Sequence, residues 1–396
     1  MDNIGGETAT GIKVSEQGAL SLIYAYSAIK VLAETLAHVP LELFQKTDTG
    51  NVPQVNHPLY NLVKTRPSIN QSSFRWRETM EGHRSGWGNA YSWVQRDPRT
   101  KQIAAIQLLF PDKTMPKALA DGTLVYETRI DDQSIRIPAS DIIHVPGLGY
   151  DGLLGYSPVQ IAKESMGLGL AMHDFSGRFF KNGATPKGII ESEVNTNSLV
   201  KWSEEFKLQH GGLEQSSGTP ILPKGLTYKQ ISINPDDALV LETMRFNRTE
   251  IAALYRVPAQ FVGDLEQANF SNAVQFDLHF VKHTMVPIYV NYEQEFDFKL
   301  LTQSERDQGF FFKFNVNGLL RGDQAARFAA FHTALQDGWL NRNEVRELED
   351  RSTENPELDE FLQPNNMMMV GQLPVAPSGS PAQPADDDDN EDDDDA

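Results

Sequence analysis

Three strings in this chain combine residue types at spacings that chemistry could use. Gly147-Leu148-Gly149-Tyr150-Asp151-Gly152 has the GxGxxG spacing of a dinucleotide-binding turn and follows a run expected to be a strand. That chemistry needs a helix opening within the motif, so that its first N–H groups face a pyrophosphate. Here the helix waits for Ser157, which leaves the glycines a structural part. His279 and His283 stand at i and i+4 on one expected helix face, the spacing at which a helix offers two ligands to zinc. Phe280 stands where a zinc protease carries its general base, so the pair reads as packed or hydrogen-bonded histidines. Arg321-Gly322-Asp323 matches an adhesion tripeptide, but Asp323 reads as a helix cap. No GxxxxGK[ST] sequence occurs, so any ATP-driven step is another protein's work. The 396 residues contain no Cys, which excludes thiolate chemistry and a disulfide framework and fits assembly in a reducing cytosol. The expectation is a non-enzyme with no cofactor and no metal.

The elements around these strings are dominated by three long helices between residues 157 and 301. The first opens at Ser157-Pro158-Val159-Gln160, with a Ser N-cap, Pro at the first helical position and Gln three residues past the cap. It runs to Asn182-Gly183, a rod of roughly 37 Å at 1.5 Å per residue. The second runs from Asn234-Pro235-Asp236 and stops before Pro258. The third starts near Ser271 and carries Pro287 in mid-course, where the missing donor predicts a kink. Ala162, Gly169 and Ala171 give the first helix a small-residue side suited to packing against neighbouring subunits. Lys163, Glu164, Asp174, Arg178 and Lys181 interrupt its apolar side, so it is not a membrane span. No basic leader precedes Leu20 to Leu36, which contains Lys30 and Glu34 and reads as a buried amphipathic helix.

Elsewhere punctuation sets the pattern. Strands are expected at Pro40 to Gln45, Asn89 to Gln95, Ile103 to Phe110, Thr123 to Ile130, Ser134 to Ile137, Ile142 to Val145 and Phe310 to Val316, with a helix at Ser73 to Ser85. Residues 1 to 156 are thus an α+β unit. Between the first two long helices, Lys187 to Glu191, Pro220 to Leu222 and Leu226 to Ile231 read as strands, and Asn197 to His210 as a helix. Helices are expected at Asp323 to Asp337 and from about Asn341. The net charge is −19, of which Asp386 to Asp395 supplies −9 through eight Asp and one Glu, leaving −10 elsewhere. A like-charge block of that length is expected to be disordered. Gln363 to Pro384, rich in Pro, Ala, Gln and Met, reads as a linker.

The order and spacing of several segments resemble the HK97-type portal proteins of tailed bacteriophages over roughly residues 14 to 350. They are ALSLIYAYSAIKVLAETLAHVPLEL (Ala19 to Leu43), HPLYNLVKTRP (His57 to Pro67), GNAYSWVQR (Gly88 to Arg96), Leu108 to Pro111 and Asp141 to Val145. Gly155 to Pro158, FFKNGATPKG (Phe179 to Gly188), EIAALYRVPAQFVG (Glu250 to Gly263), Leu319 to Asp323 and GWLNRNEVR (Gly338 to Arg346) follow. The resemblance implies a portal fold: an α/β wing at 1–156, a first stem helix at 157–183, a small α/β clip at 184–233 and a second stem helix at 234–258. A tunnel loop follows at 259–271, then a kinked channel helix at 272–301, a wing return strand within 302–318, a helical crown at 319–362 and an acidic tail at 363–396.

The resemblance also implies a ring of about twelve subunits at one capsid vertex, through which double-stranded DNA is packaged and ejected. Its implied partners are the large terminase subunit, a head-tail adaptor and the major capsid protein or a scaffold, in the virion and during assembly in the bacterial cytoplasm. Asp264, Glu266, Gln267, Asn269 and Phe270 would line the channel, and Lys187, Trp202, Glu205 and Lys207 would present the clip to partners. From Val257 to Val281 there is no Lys or Arg, which favours weak, non-sequence-specific contact with sliding DNA. Arg245, Arg248 and Arg256, read on the second stem helix, could supply positive rings; intersubunit salt bridges serve equally well. A virion adaptor or scaffold without a DNA conduit remains the alternative.

Overall fold

A computed structural model describes residues 8–48, 50–181, 188–192, 226–230, 237–263, 270–316, 324–348 and 355–361. Two compact units result, Met1–Leu320 and Arg321–Ala396. In chain order the first contains α1 (Glu16–Ala19), α2 (Ile23–His38), β1 (Leu41–Thr47), β2 (Gly50–Pro53), α3 (Pro58–Lys64), α4 (Ser73–Trp87), β3 (Asn89–Arg96), β4 (Ile103–Leu109), β5 (Thr114–Ala118), β6 (Leu124–Ile130), β7 (Gln133–Pro138) and β8 (Ile142–Pro146). Then come α5 (Pro158–Ile161), α6 (Lys163–Lys181), β9 (Gly188–Ser192), β10 (Leu226–Gln230), α7 (Asp237–Leu254), α8 (Phe270–Phe280), a π-helical turn (Val281–Met285), α9 (Val286–Leu300), α10 (Gln303–Asp307) and β11 (Phe310–Phe314). The second unit holds α11 (Gln324–Gln336) and α12 (Arg342–Leu348).

Alanine, leucine and isoleucine recur along α2 so that Ala25, Ala28, Ile29, Leu32 and Leu36 fall on one buried face, packed against α4. Helix α4 starts where Ser72 Oγ accepts the Arg75 N–H and stops at Gly88, whose φ of 82° suits glycine. Trp76 of α4, fully buried, packs its ring at a tilt against Phe296 of α9, 5.4 Å between centres, and donates its indole N–H to Ser92 Oγ (2.9 Å). Tyr292, Phe296 and Phe312 continue this aromatic core.

The described strands form antiparallel sheets ordered β11-β1-β2, β4-β3-β8 and β5-β6-β7, plus the pair β9-β10. Residue 310 onward does return to the N-terminal unit, pairing Leu41 with Phe314 and Gln45 with Phe310. Two edge strands were not expected from the sequence. Strand β5 carries Pro116 in its middle, and β2 ends at Pro53; both sit at sheet edges, where a missing donor faces no partner.

Helix α9 closes two other edges. Glu293 Oε1 accepts the Phe314 N–H at 2.7 Å and Asp297 Oδ1 the Phe312 N–H at 2.6 Å, on the free side of β11. Asn291 donates to Pro146 O (2.9 Å), Glu295 Oε1 accepts the His144 N–H (2.9 Å) and Lys299 donates to Ala139 O (2.5 Å), along β8 and the turn before it. Four residues of helix advance about 6.0 Å and two of strand about 6.8 Å, so i, i+4 side chains keep step with alternate strand amides.

Other glycines permit backbone crossings. A Cβ on Gly155 would meet Gly88 O at 2.1 Å, and one on Gly149 would meet Leu154 O at 1.8 Å. Asn89 ties the same crossing, donating to Gly155 O (2.8 Å) while its Oδ1 accepts the Gly155 N–H (2.9 Å) and the His144 Nε2–H (3.0 Å). His144 Nδ1 is then free to accept from the Tyr126 hydroxyl (3.0 Å).

The expected rod from Ser157 is interrupted. Ser157 and Gln160 bond back to Glu16 and Val14, Val159 is buried, and Ala162 leaves helical geometry (φ −97°, ψ 26°) before α6 sets off again. Gly169 of α6 faces the same chain, not a neighbour: a Cβ there would meet Tyr24 Oη at 2.5 Å and Asn247 Oδ1 at 2.7 Å. Fully buried Asn247 joins α2, α6 and α7 by accepting from Tyr24 (2.9 Å) and donating to Ser165 O (2.7 Å). In the second unit, Asn341 and Glu344 cap α12 reciprocally, each side chain accepting the other's backbone N–H at 2.8 Å.

Asp297→Ala leaves the Phe312 N–H without an acceptor, and about 1–3 kcal/mol of stability should be lost in denaturant titrations at pH 7.5; Asp297→Asn keeps an acceptor and should lose little. A second expectation concerns acid. Burial pushes His83 and His144 down to about 4, Lys299 adding to the effect at His144. Their folded pKa lies below the unfolded one, so their contribution is full above pH 6.5 and is lost as pH falls toward 4. Asp297, pushed up to about 6 by burial and Glu293, has the opposite sign: its contribution is full when protonated and lost as pH rises through 6. His83→Leu removes one histidine contribution and should reduce the stability lost between pH 7.5 and 4.5 by about 2 kcal/mol relative to the parent. An equal loss in both proteins would refute this origin.

Candidate functional site

The expected channel loop hangs between two elements that the sequence builds tightly. Helix α7 ends in a Schellman motif: the Val257 N–H bonds Ala252 O and the Arg256 N–H bonds Ala253 O, both at 3.0 Å. Arg256 therefore lies beyond the helix, not on it, with φ 53° in the left-handed region. The residue before Pro258 is pushed out of helical geometry, so the turn must close at Arg256. Thr284 Oγ1 donates to Arg256 O (3.0 Å), tying this turn to the π-helical segment. A 3-10 turn, Ala259–Val262, follows and closes on Gly263 at φ 89°. Phe261 meets Phe280 edge-on at 5.6 Å, Val257 and Val262 are buried, and Arg248 Nη1 reaches Gly263 O at 3.4 Å.

Helix α8 begins at Phe270 and gives way to the π turn. Pro287 lies in the first turn of α9. Its ring would clash with the His283 carbonyl in a regular helix, and the wider turn relieves that contact. A cleft of about 620 Å³ lies between α7's end and this helix, lined by residues including Arg256, Pro258, Gln260, Phe276, His279 and His283. The two histidine rings are exposed, with centres 4.4 Å apart and planes inclined by 44°. Among the described residues no group of three or more His, Cys, Asp or Glu is placed to hold a metal ion.

Asp264, Glu266, Gln267 and Asn269 lie outside the described residues, as do Lys187, Trp202, Glu205 and Lys207 and the Arg321-Gly322-Asp323 string. Phe270 is described by its backbone alone. Arg245 is exposed on α7 and Arg248 half-buried. Of the GxGxxG glycines, Gly147 lies against Gly88, Gly149 bridges to Gly155 and Gly152 takes a left-handed turn at φ 73°, and no helix opens within the motif. Sequence reasoning missed Asn247: a lone Asn in a helix carries no periodic signal, and only the paired gap at Gly169 marks it. No described helix is long and apolar enough to cross a membrane.

With this geometry in hand, the family model described as "Phage portal protein" matches residues 24–350. The chain belongs to the phage portal protein family. It is 27% identical to the portal protein of Enterobacteria phage HK97 over 340 residues, covering 84% of this chain and 79% of that protein. The probable portal protein of Streptomyces phage phiC31 is 26% identical, with 94% and 84% covered. Among solved structures, an HK97 family phage portal protein from Corynebacterium diphtheriae has the same fold at a TM-score of 0.58 and 16% identity, covering 80% of this chain and 99% of the other.

The second unit has a Schellman-type close too, where Gly338 (φ 70°) precedes a Trp339 N–H bonded to Ala334 O at 2.9 Å. Holding arginine where that turn uses glycine costs about 1 kcal/mol. Arg256→Gly should therefore raise stability by about that amount in denaturant titrations, and Gly338→Arg should lower it similarly. A destabilised Arg256→Gly protein would mean that the side chain's contacts outweigh the strained backbone.

Proposed function

We propose that this chain is the subunit of a portal ring of about twelve copies at one capsid vertex. The ring would nucleate head assembly with the major capsid protein or a scaffold, admit double-stranded DNA driven by the large terminase subunit, join a head-tail adaptor and release the genome on ejection. The observation that carries this reading is the family match running unbroken from α2 through α12. Ring size is supported by fold likeness, at a TM-score of 0.55 and 21% identity, to a chain in the "Neck of native GTA particle computed with C12 symmetry", which covers 84% of this chain and 93% of that one. On this reading the unit up to β8 with β11 is the wing, α5 to α7 the stem, β9 and β10 part of the clip, and α11 and α12 the crown. The tunnel loop is Gly263 to Phe270. The turn closed by Arg256 before it and the π turn after α8 are anchored in the core, so the loop and α8 would project between two fixed points.

A conduit must not grip what it passes. The segment Val257 to Val281 lacks Lys and Arg and carries Asp264 and Glu266 instead, which suits sliding contact with a polyanion. Negative-stain images of purified protein should contain closed rings with a central hole wide enough for duplex DNA; rings without a hole would favour an adaptor or scaffold. Asp264→Lys with Glu266→Lys changes the charge by +4 per subunit, roughly +48 around about twelve copies. Heads carrying both substitutions should package DNA slowly or stall in vitro, more so as salt is lowered. Normal rates at every ionic strength would remove this loop from the DNA path.

A further inference from the structure

We propose that His279 and His283 form a chelating site for a borderline transition-metal ion such as Ni²⁺ or Cu²⁺. The two imidazoles project from one helix face into the cleft beside Arg256 and Gln260. Their ring centres lie 4.4 Å apart, and among the described residues neither ring has a hydrogen-bond partner. A metal bound at about 2.0–2.1 Å from an imidazole nitrogen lies about 3.2 Å from that ring's centre. Two such rings at a right angle around one ion have centres about 4.5 Å apart, and at a tetrahedral angle about 5.2 Å. The observed 4.4 Å is close to the right-angled pair, and exposed rings can swing the small distance needed to share one ion.

The surroundings set the strength. Gln260 lines the same cleft, and its side-chain carbonyl could supply an oxygen ligand, with water filling the remaining positions. Arg256 in the cleft and the exposed Lys282 oppose a cation. The balance is a modest site in which loss of either imidazole removes the chelate. Because the histidines flank the start of the π turn, a bound ion would clamp α8 to that turn. This inference stands on the two rings alone and holds whether or not the loop touches DNA.

The test uses untagged full-length protein, stripped of metal and dialysed against Ni²⁺ with excess Mg²⁺, which occupies the carboxylate sites of the acidic segment. One Ni²⁺ per subunit should bind, and His279→Ala or His283→Ala should each weaken it about a hundredfold. His332→Ala, an exposed histidine on α11, should leave it unchanged. On the parent protein, Cu²⁺ electron paramagnetic resonance should report two equatorial imidazole nitrogens, a readout that needs no variant. Equal Ni²⁺ binding by the parent and the His279→Ala, His283→Ala double variant would overturn the proposal. So would a Cu²⁺ spectrum with one nitrogen or none.

Discussion

The first unit depends on α9 acting as a side-chain substitute for strands. Sheets β11-β1-β2 and β4-β3-β8 each end in a buried edge whose amides and carbonyls have no further strand to pair with. An unpaired buried amide costs as much as a lost hydrogen bond, so a helix laid along such an edge must bring partners. Helix α9 brings five, on two sides, and its aromatic residues Tyr289, Tyr292 and Phe296 fill the space between. Burial raises Glu293, Glu295 and Asp297 above the usual carboxylate range, and the strand amides partly offset that rise. The edges require acceptors, and these buried acids supply them.

From this frame the rest is positioned by small polar joints. The Asn89, His144 and Tyr126 chain locks the crossing where β3, β8 and the Gly147–Gly155 loop meet, and Asn247 locks α7 to α2 and α6. Each joint pairs a buried side chain with a backbone gap that only glycine leaves, at Gly155 in one case and Gly169 in the other. The turn at Arg256 and the π turn are fixed in the same way, by Thr284 bridging them. Anchoring therefore extends from the sheets to Gly263 on one side of the 264–269 segment and to the π turn beyond α8 on the other.

Much of this was legible in the sequence because apolar periodicity and end signals act locally. Helices α2, α4 and α7 and the strands β3, β4, β6 and β8 fall close to where Ser, Gly and Pro punctuation put them, and the family was legible from ordered segments such as EIAALYRVPAQFVG. What was not legible depends on contacts distant in the chain. The break at Ala162 follows from residues near position 16 pulling on Ser157 and Gln160, and the inward role of Gly169 from a tyrosine 145 positions earlier. Edge strands β2 and β5 were hidden because proline, a warning against strands, is harmless where no neighbour asks for the amide. Arg256 off the helix was hidden because a left-handed arginine has no compositional mark.

The π turn acts as a phase shifter in the long helix. One residue of a regular helix turns the chain by about 100°, so an extra residue in one turn offsets every side chain before it by that angle relative to every one after it. Helix α9 is bound in azimuth by two sheet edges and has no freedom to rotate. With the offset, the face that α8 shows to the cleft is set by the insertion alone and is uncoupled from the face α9 must bury. A lineage could thus retune which residues flank the 264–269 segment by moving or removing a single position, without disturbing the sheets.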